Sequence, residues 1–287
     1  MKGTIASILV LLFGGVFVHA EEISTFSAYV DSDICARLML GPISASRTEC
    51  SQKTHKDGSN PVLVNLSNNA LFGVDKQKMI NKLVGTLAEV SGEVKVKDGR
   101  MKLKEVKPIE ADSIPQSDPS RRLLDVRTYR TANGPKVFEA IRHELAMMPY
   151  ITEFDFISFT MVGNDVILTG WTVRSSNRGT AENLVRNIEG VERVINNIEI
   201  LPLGRTDMQL RAGARAALQR FLSRYFWGSG SDIKIIVKNG NIILLGTVAT
   251  QSDSDTASIQ CRSLPFSFHV FNMLRVSGTE GQKQAKG

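Results

Sequence analysis

Arg211, Arg215, Arg220 and Arg224 fall in a segment whose apolar residues recur at helical spacing. At about 100° per residue, Leu210, Ala214, Ala217, Leu218, Phe221 and Tyr225 share one face. Arg211 and Arg215 border that face on one side, Arg220 and Arg224 on the other. Guanidinium groups so placed can snorkel to phosphate oxygens while the stripe is buried. Tyr225, Phe226 and Trp227 follow, with rings suited to a membrane interface. The chemistry is anion binding, with Arg211, Arg215, Arg220, Arg224, Phe226 and Trp227 as candidate lipid contacts. Each cation near an anionic surface contributes about 1 kcal/mol. The plainer reading seats the stripe on a sheet as core, and the two readings are compatible.

Catalytic constellations are absent from the sequence. Of its four histidines, His19 lies in the leader, His55 in a Lys/Asp/Gly loop, His143 on a helix and His269 near a terminal strand. No pair has metal-ligand spacing, and there is neither a Gly-x-Ser-x-Gly elbow nor a phosphate-cradling glycine loop. Cys35, Cys50 and His55 fall short of the four ligands of a structural zinc. Ser252-Asp253-Ser254-Asp255 lacks the glycine and distal glutamate of a calcium loop, and instead suits a helix opening. The expectation is a protein that is not an enzyme, with no catalytic residue, cofactor or metal.

The first twenty residues read as a secretory signal peptide: Lys2, an apolar run from Ile5 to Val18, then Val18-His19-Ala20 at a cleavage site. An uncleaved anchor is the alternative, although the run is short for a span. In an oxidising compartment Cys35 and Cys50 either pair as a disulfide or remain thiols, while Cys261 reads as a buried thiol. The net charge of +6 is uneven. Residues 204–287 hold 11 Lys/Arg against 5 Asp/Glu, residues 111–203 hold 10 against 12, and residues 21–110 hold 13 against 12. Outside the cytoplasm, that basicity points to anionic lipid or another envelope polyanion and away from nucleic acid.

Residues 21–110 read as β-rich. Pro61–Leu66 is a short strand, Asp75 caps a helical piece through Leu83, and Leu87–Lys97 alternates with Gly92 as a bulge. Asp98-Gly99 turns the chain into a strand bearing Met101, Leu103 and Val106. The pattern resembles a small OB-like barrel. Residues 111–135, with Pro108 just before them and Pro115, Pro119 and Pro135 within, read as a linker.

A duplication follows. Val162–Ile200 is echoed by Val237–Val276, so that Gly170 falls on Gly246, Ala181 on Ala257, Val194 on Val270 and Asn196 on Asn272. In the first copy, Pro135 opens a helix with Val137, Phe138, Ile141, Leu145 and Met148 on one face. Strands at Phe154–Met161 and Val166–Val173, a helix at Asn177–Glu189 and a strand at Val194–Leu201 complete an α-β-β-α-β unit. Trp171 reads as half-buried packing.

The Val-x-Leu-x-Gly strand, the helix bearing Ala181, and the Gly190-Val191-x-x-Val194-x-Asn196-x-Ile198 close resemble the BON domain. The second copy has Phe266 and Ser267 in place of Gly190 and Val191, and Pro265 shortens its second helix. The fold expectation is α+β, with two α-β-β-α-β two-layer sandwiches (136–203 and 204–277) after the OB-like barrel, and a disordered tail at 278–287. The resemblance implies a periplasmic or otherwise extracytoplasmic protein, peripheral at a membrane, that binds anionic phospholipid and supports envelope integrity. The alternative is a periplasmic module for protein interaction, chaperone-like, under osmotic or other stress, with envelope proteins as partners.

Overall fold

A computed structural model describes residues 23–38, 42–95, 99–114, 134–226 and 232–277. The leader, Trp227, residues 115–133 of the linker and the tail from 278 lie outside the described residues.

Five strands form a closed barrel: β1 (Ile23–Ser32), β2 (Pro61–Asn65), β3 (Leu71–Val74), β4 (Leu87–Lys95) and β5 (Arg100–Ile109). Their order is β1-β2-β3-β5-β4, with β1 pairing β4 to close the ring. The register slips between Ser91 and Gly92, where a Cβ would lie 2.4 Å from the Lys102 carbonyl oxygen. That close approach is why the bulge takes glycine. The helical piece after Asp75 is two 3₁₀ turns, Gln77–Met79 and Asn81–Leu83.

Two helices enter between β1 and β2 that the sequence pattern does not announce: α1 (Asp33–Leu38) and α2 (Ala45–Lys56). Helix α2 is almost wholly polar, so it has no apolar stripe to read. Ser44 caps it by accepting from Arg47 N. A buried ion pair, Arg47 Nε to Asp31 Oδ2 at 2.8 Å, fixes it to β1. Cys35 and Cys50 are disulfide-bonded, with Cα atoms 6.0 Å apart, and tie α1 to α2.

The first repeat comprises α3 (Gly134–Ala146), β6 (Phe156–Val162), β7 (Asp165–Thr172), α4 (Ser175–Arg186), β8 (Arg193–Asn196) and β9 (Glu199–Ile200). The second comprises α5 (Arg205–Phe221), β10 (Ile233–Lys238), β11 (Asn241–Val248), α6 (Gln251–Arg262) and β12 (His269–Val276). In each, the middle strand pairs antiparallel with the first and parallel with the last. Helices cover one face: Ile141, Ala181 and Val185 point inward from them in the first copy, Leu210, Ala214, Leu218, Ala257 and Cys261 in the second.

The opposite faces are closed as well. Trp171 and Leu201 of the first sheet meet Ile236, Ile243, Leu245 and Phe271 of the second, with Ile34 of α1 wedged into the same cluster. Trp171 is therefore fully buried (0% exposed), where half-burial was expected. The near-continuous apolar runs of β7 and β11 are the mark of strands covered on both faces.

Candidate functional site

Helix α5 carries Arg211, Arg215 and Arg220, and the turn after it Arg224 and Phe226; the structure sorts these five into separate environments. Leu210, Ala214 and Leu218 are core, which makes the stripe the packing face of the repeat. Helix α5 ends at Phe221, which swings out to 51% exposed, while Leu222 and Tyr225 take the inward places.

Arg211 does not stand on the helix shoulder. It is 5% exposed, and its Nη2 donates to the carbonyls of Pro202 (2.9 Å) and Val237 (2.7 Å). Its Nε and Nη1 are buried and find no acceptor among the described residues. Burial pushes its pKa down, and the Asp207 and Asp155 carboxylates oppose that shift. Arg215 reaches the first repeat, with Nε 2.8 Å from Glu153 Oε1. Arg224 pairs with Asp253 and lies over the Tyr225 ring at 4.9 Å. Arg220 lies 5.6 Å from the Phe221 ring centroid. Phe226 is half-buried against the core of the second repeat.

The acidic run at 252–255 opens α6. Asp253 completes a capping box with Thr250 and also accepts from the Tyr225 hydroxyl at 2.9 Å. Hydrogen bonds, that from Thr250 foremost, hold its carboxyl below the usual range. Among the described residues no group of three or more His, Cys, Asp and Glu is placed to hold a metal ion. Burial pushes the Cys261 thiol up to about 12, which makes it a packing residue.

Beside Arg211 a groove of about 370 Å³ runs along the side of α5 that faces the first repeat. Its walls are Phe154 and Val173 of the first repeat, Leu203 of the connector, and Met208, Ala212 and Ala216 of α5, with Arg211 and Arg215 among them. Asp155 sets the first wall: its carboxylate accepts from Thr152 N, Thr152 Oγ1, Thr172 Oγ1 and Val173 N. The loop so fixed hydrogen-bonds to the neighbouring repeat, Ile235 N donating to the Glu153 carbonyl at 2.7 Å. Met208 (55% exposed) and Leu203 (61%) leave apolar surface at the mouth.

Phe154, Glu153, Asp155, Leu203 and Met208 were not singled out from the sequence. One signal was present: Met208, Ala212 and Ala216 recur every fourth residue, a second apolar stripe on the other side of α5. The remaining walls are set by how the repeats dock, and no local spacing encodes that.

A second polar cluster joins all three parts of the chain. Arg37 Nε and Lys238 Nζ each lie 2.8 Å from the carboxylate of Asp33, and both cations also pair with Glu199. Burial alone would raise the Asp33 pKa, but Arg37 and Lys238 more than offset it and hold the carboxyl well below the usual range. Arg37 Nη1 donates to the Asn197 carbonyl, and Thr169 Oγ1 donates to the Arg37 carbonyl at 2.9 Å. The Asn197 side chain bridges to the barrel, accepting from Leu71 N and donating to the Asn69 carbonyl. This cluster has every charge matched and functions as a docking lock.

Comparison with known proteins agrees with the repeat architecture. Residues 138–202 and 211–278 each match the family model for the BON domain. No curated protein matches the chain. Among solved structures, CdsD, a structural protein of the type III secretion system of Chlamydia trachomatis, is 11% identical, covering 52% of this chain and 97% of that one at a TM-score of 0.22. The C-terminal domain of CdsD is 10% identical, covering 49% and 96% at a TM-score of 0.21. Likeness at this level bears on no functional point.

Proposed function

The chain carries two BON domains in tandem after a β-barrel, and from that premise we propose an exported, non-enzymatic cell-envelope protein that engages anionic phospholipid at a membrane surface. The observation that carries the reading is the groove along α5, open at Met208 and Leu203, with two guanidinium groups on a mostly apolar wall. Apolar surface beside cationic groups matches the boundary between acyl chains and headgroups. No helix among the described residues is long and apolar enough to cross a membrane, so the contact proposed is peripheral.

Internal pairing favours some basic residues over others for this contact. Arg224 is tied to Asp253 and Lys238 to the docking lock, so much of the charge of the second repeat is spent internally. Arg220 on α5, with the exposed Arg262 and Arg275, stays outside those pairs. Co-sedimentation of the full chain with phosphatidylglycerol vesicles at low salt, against phosphatidylcholine vesicles, tests the reading. Binding to the anionic vesicles is expected, falling as salt is raised and lost in Met208→Asp. Equal binding to both vesicles would overturn it. No binding, with a defined envelope protein recovered from the same chain, would establish the protein-interaction role instead.

A further inference from the structure

The groove has the features of a site for a single molecule, and we infer that it takes one single-chain fatty carboxylate, with the chain along α5 and the anionic head toward Arg211. The inference rests on the lipid reading of the same face and goes further, from a membrane surface to a discrete ligand.

Size is the first argument. Ligand pockets run from about 300 to 1,000 Å³. At about 370 Å³ this groove lies near the small end, fit for one chain and too small for a diacyl lipid.

Wall chemistry is the second argument. Phe154, Val173, Leu203, Met208, Ala212 and Ala216 offer an acyl chain apolar contact, with Gln219 the one uncharged polar residue in the lining. The small alanines on α5 leave the width of the channel.

Charge is the third argument. Arg211 lines the groove, its buried Nε and Nη1 find no acceptor among the described residues, and a buried donor left unmade is costly. The acids nearest it are engaged elsewhere: Asp207 accepts from Asn239 N and Gly240 N, both at 2.8 Å, and Asp155 is occupied by Thr152, Thr172 and Val173. The second guanidinium, Arg215, is balanced by Glu153. Glu153 Oε1 is itself buried without a hydrogen bond among the described residues, but the unmet donors of Arg211 call for an acceptor, which a carboxylate supplies with matching charge and an alcohol meets only in part.

Calorimetric titration of the full chain with decanoate, below its micelle concentration, tests the inference, with decanol as the neutral probe. One decanoate should bind per chain, decanol about tenfold or more weakly. Ala216→Trp, on the exposed side of α5, should fill the channel and abolish binding while the circular dichroism spectrum stays unchanged. Absence of decanoate binding, equal affinity for decanol, or full binding by Ala216→Trp would each overturn the inference. Vesicle binding without decanoate binding would leave the membrane reading standing and remove this one. Decanoate binding without vesicle binding would do the reverse.

Discussion

At Gly170 and Gly246 the two BON domains use the same backbone device. Both residues have φ of +117°, and a Cβ would lie 1.9 Å from the Phe156 carbonyl oxygen in one and 1.8 Å from that of Asp232 in the other. Asn196 and Asn272 repeat a second device. Each donates to a carbonyl on the preceding helix, of Arg178 or Ser254, and accepts from the backbone N–H two residues on. The copies part at their edges. In the first, the last strand breaks between β8 and β9, where Asn197 leaves the sheet to hold the barrel. In the second, β12 runs unbroken for 8 residues. The left-handed turn before it takes Phe266 at φ +66°, where the first copy has Gly190 at φ +94°. Residues that preserve the fold are thus shared, while those that connect to other parts of the molecule are private to each copy.

The comparison can be broken at its private residues first. Lys238→Met leaves Asp33 and Glu199 short of a cation in the docking lock, and removing one partner of a buried pair costs about 3–5 kcal/mol. Urea denaturation should show the loss, and an unchanged midpoint would mean that the lock contributes nothing. At the shared device, Gly170→Ala and Gly246→Ala should each cost about 3 kcal/mol through strain and collision with a backbone oxygen. Tolerance of one substitution and not the other would end the equivalence of the two positions.

The disulfide sharpens the role of the barrel helices. Cys35 and Cys50 are 15 residues apart, a loop whose closure stabilises by about 3 kcal/mol, so Cys50→Ser should lower the thermal midpoint and reductant should do the same to the wild type. The pH dependence of the lock has a definite sign. The folded pKa of Asp33 is depressed, so its contribution is fully present above the unfolded value of about 3.9 and is lost as pH falls through the lower folded value. The stability difference between wild type and Asp33→Asn should hold from neutral pH to about pH 4 and shrink below it. Phe266→Gly carries the smallest effect. The side chain is 58% exposed in a left-handed conformation, so relief of strain should raise stability by up to about 1 kcal/mol in the same urea assay.

Much of this was legible in the residues. The Val-x-Leu-x-Gly strand of the first copy, the bulge at Gly92 and the helix stripe at Leu210, Ala214 and Leu218 are local patterns, and each lies in the element its spacing implies. Helices α1 and α2 were not legible, because a polar helix held by Arg47–Asp31 and a cystine has no periodicity to betray it. The candidate site was legible only in part. Arginine spacing located α5 as the basic helix, but whether a guanidinium faces water, Glu153 or a buried carbonyl depends on segments far away in sequence.

By itself, the sequence determined what short-range physics controls: the duplication, the α-β-β-α-β order, the glycines at forbidden φ and the excess of positive charge in the second copy. Tertiary structure alone decided where that charge is spent. Docking of α1 and the two sheets buries Arg37 and Asp33 against a half-buried Lys238, and the connector at Pro202 and Leu203 turns Arg211 inward beside a mostly apolar groove. Burial and pairing are properties of distant surfaces brought together, and a charge in the chain acquires its function only when those surfaces meet.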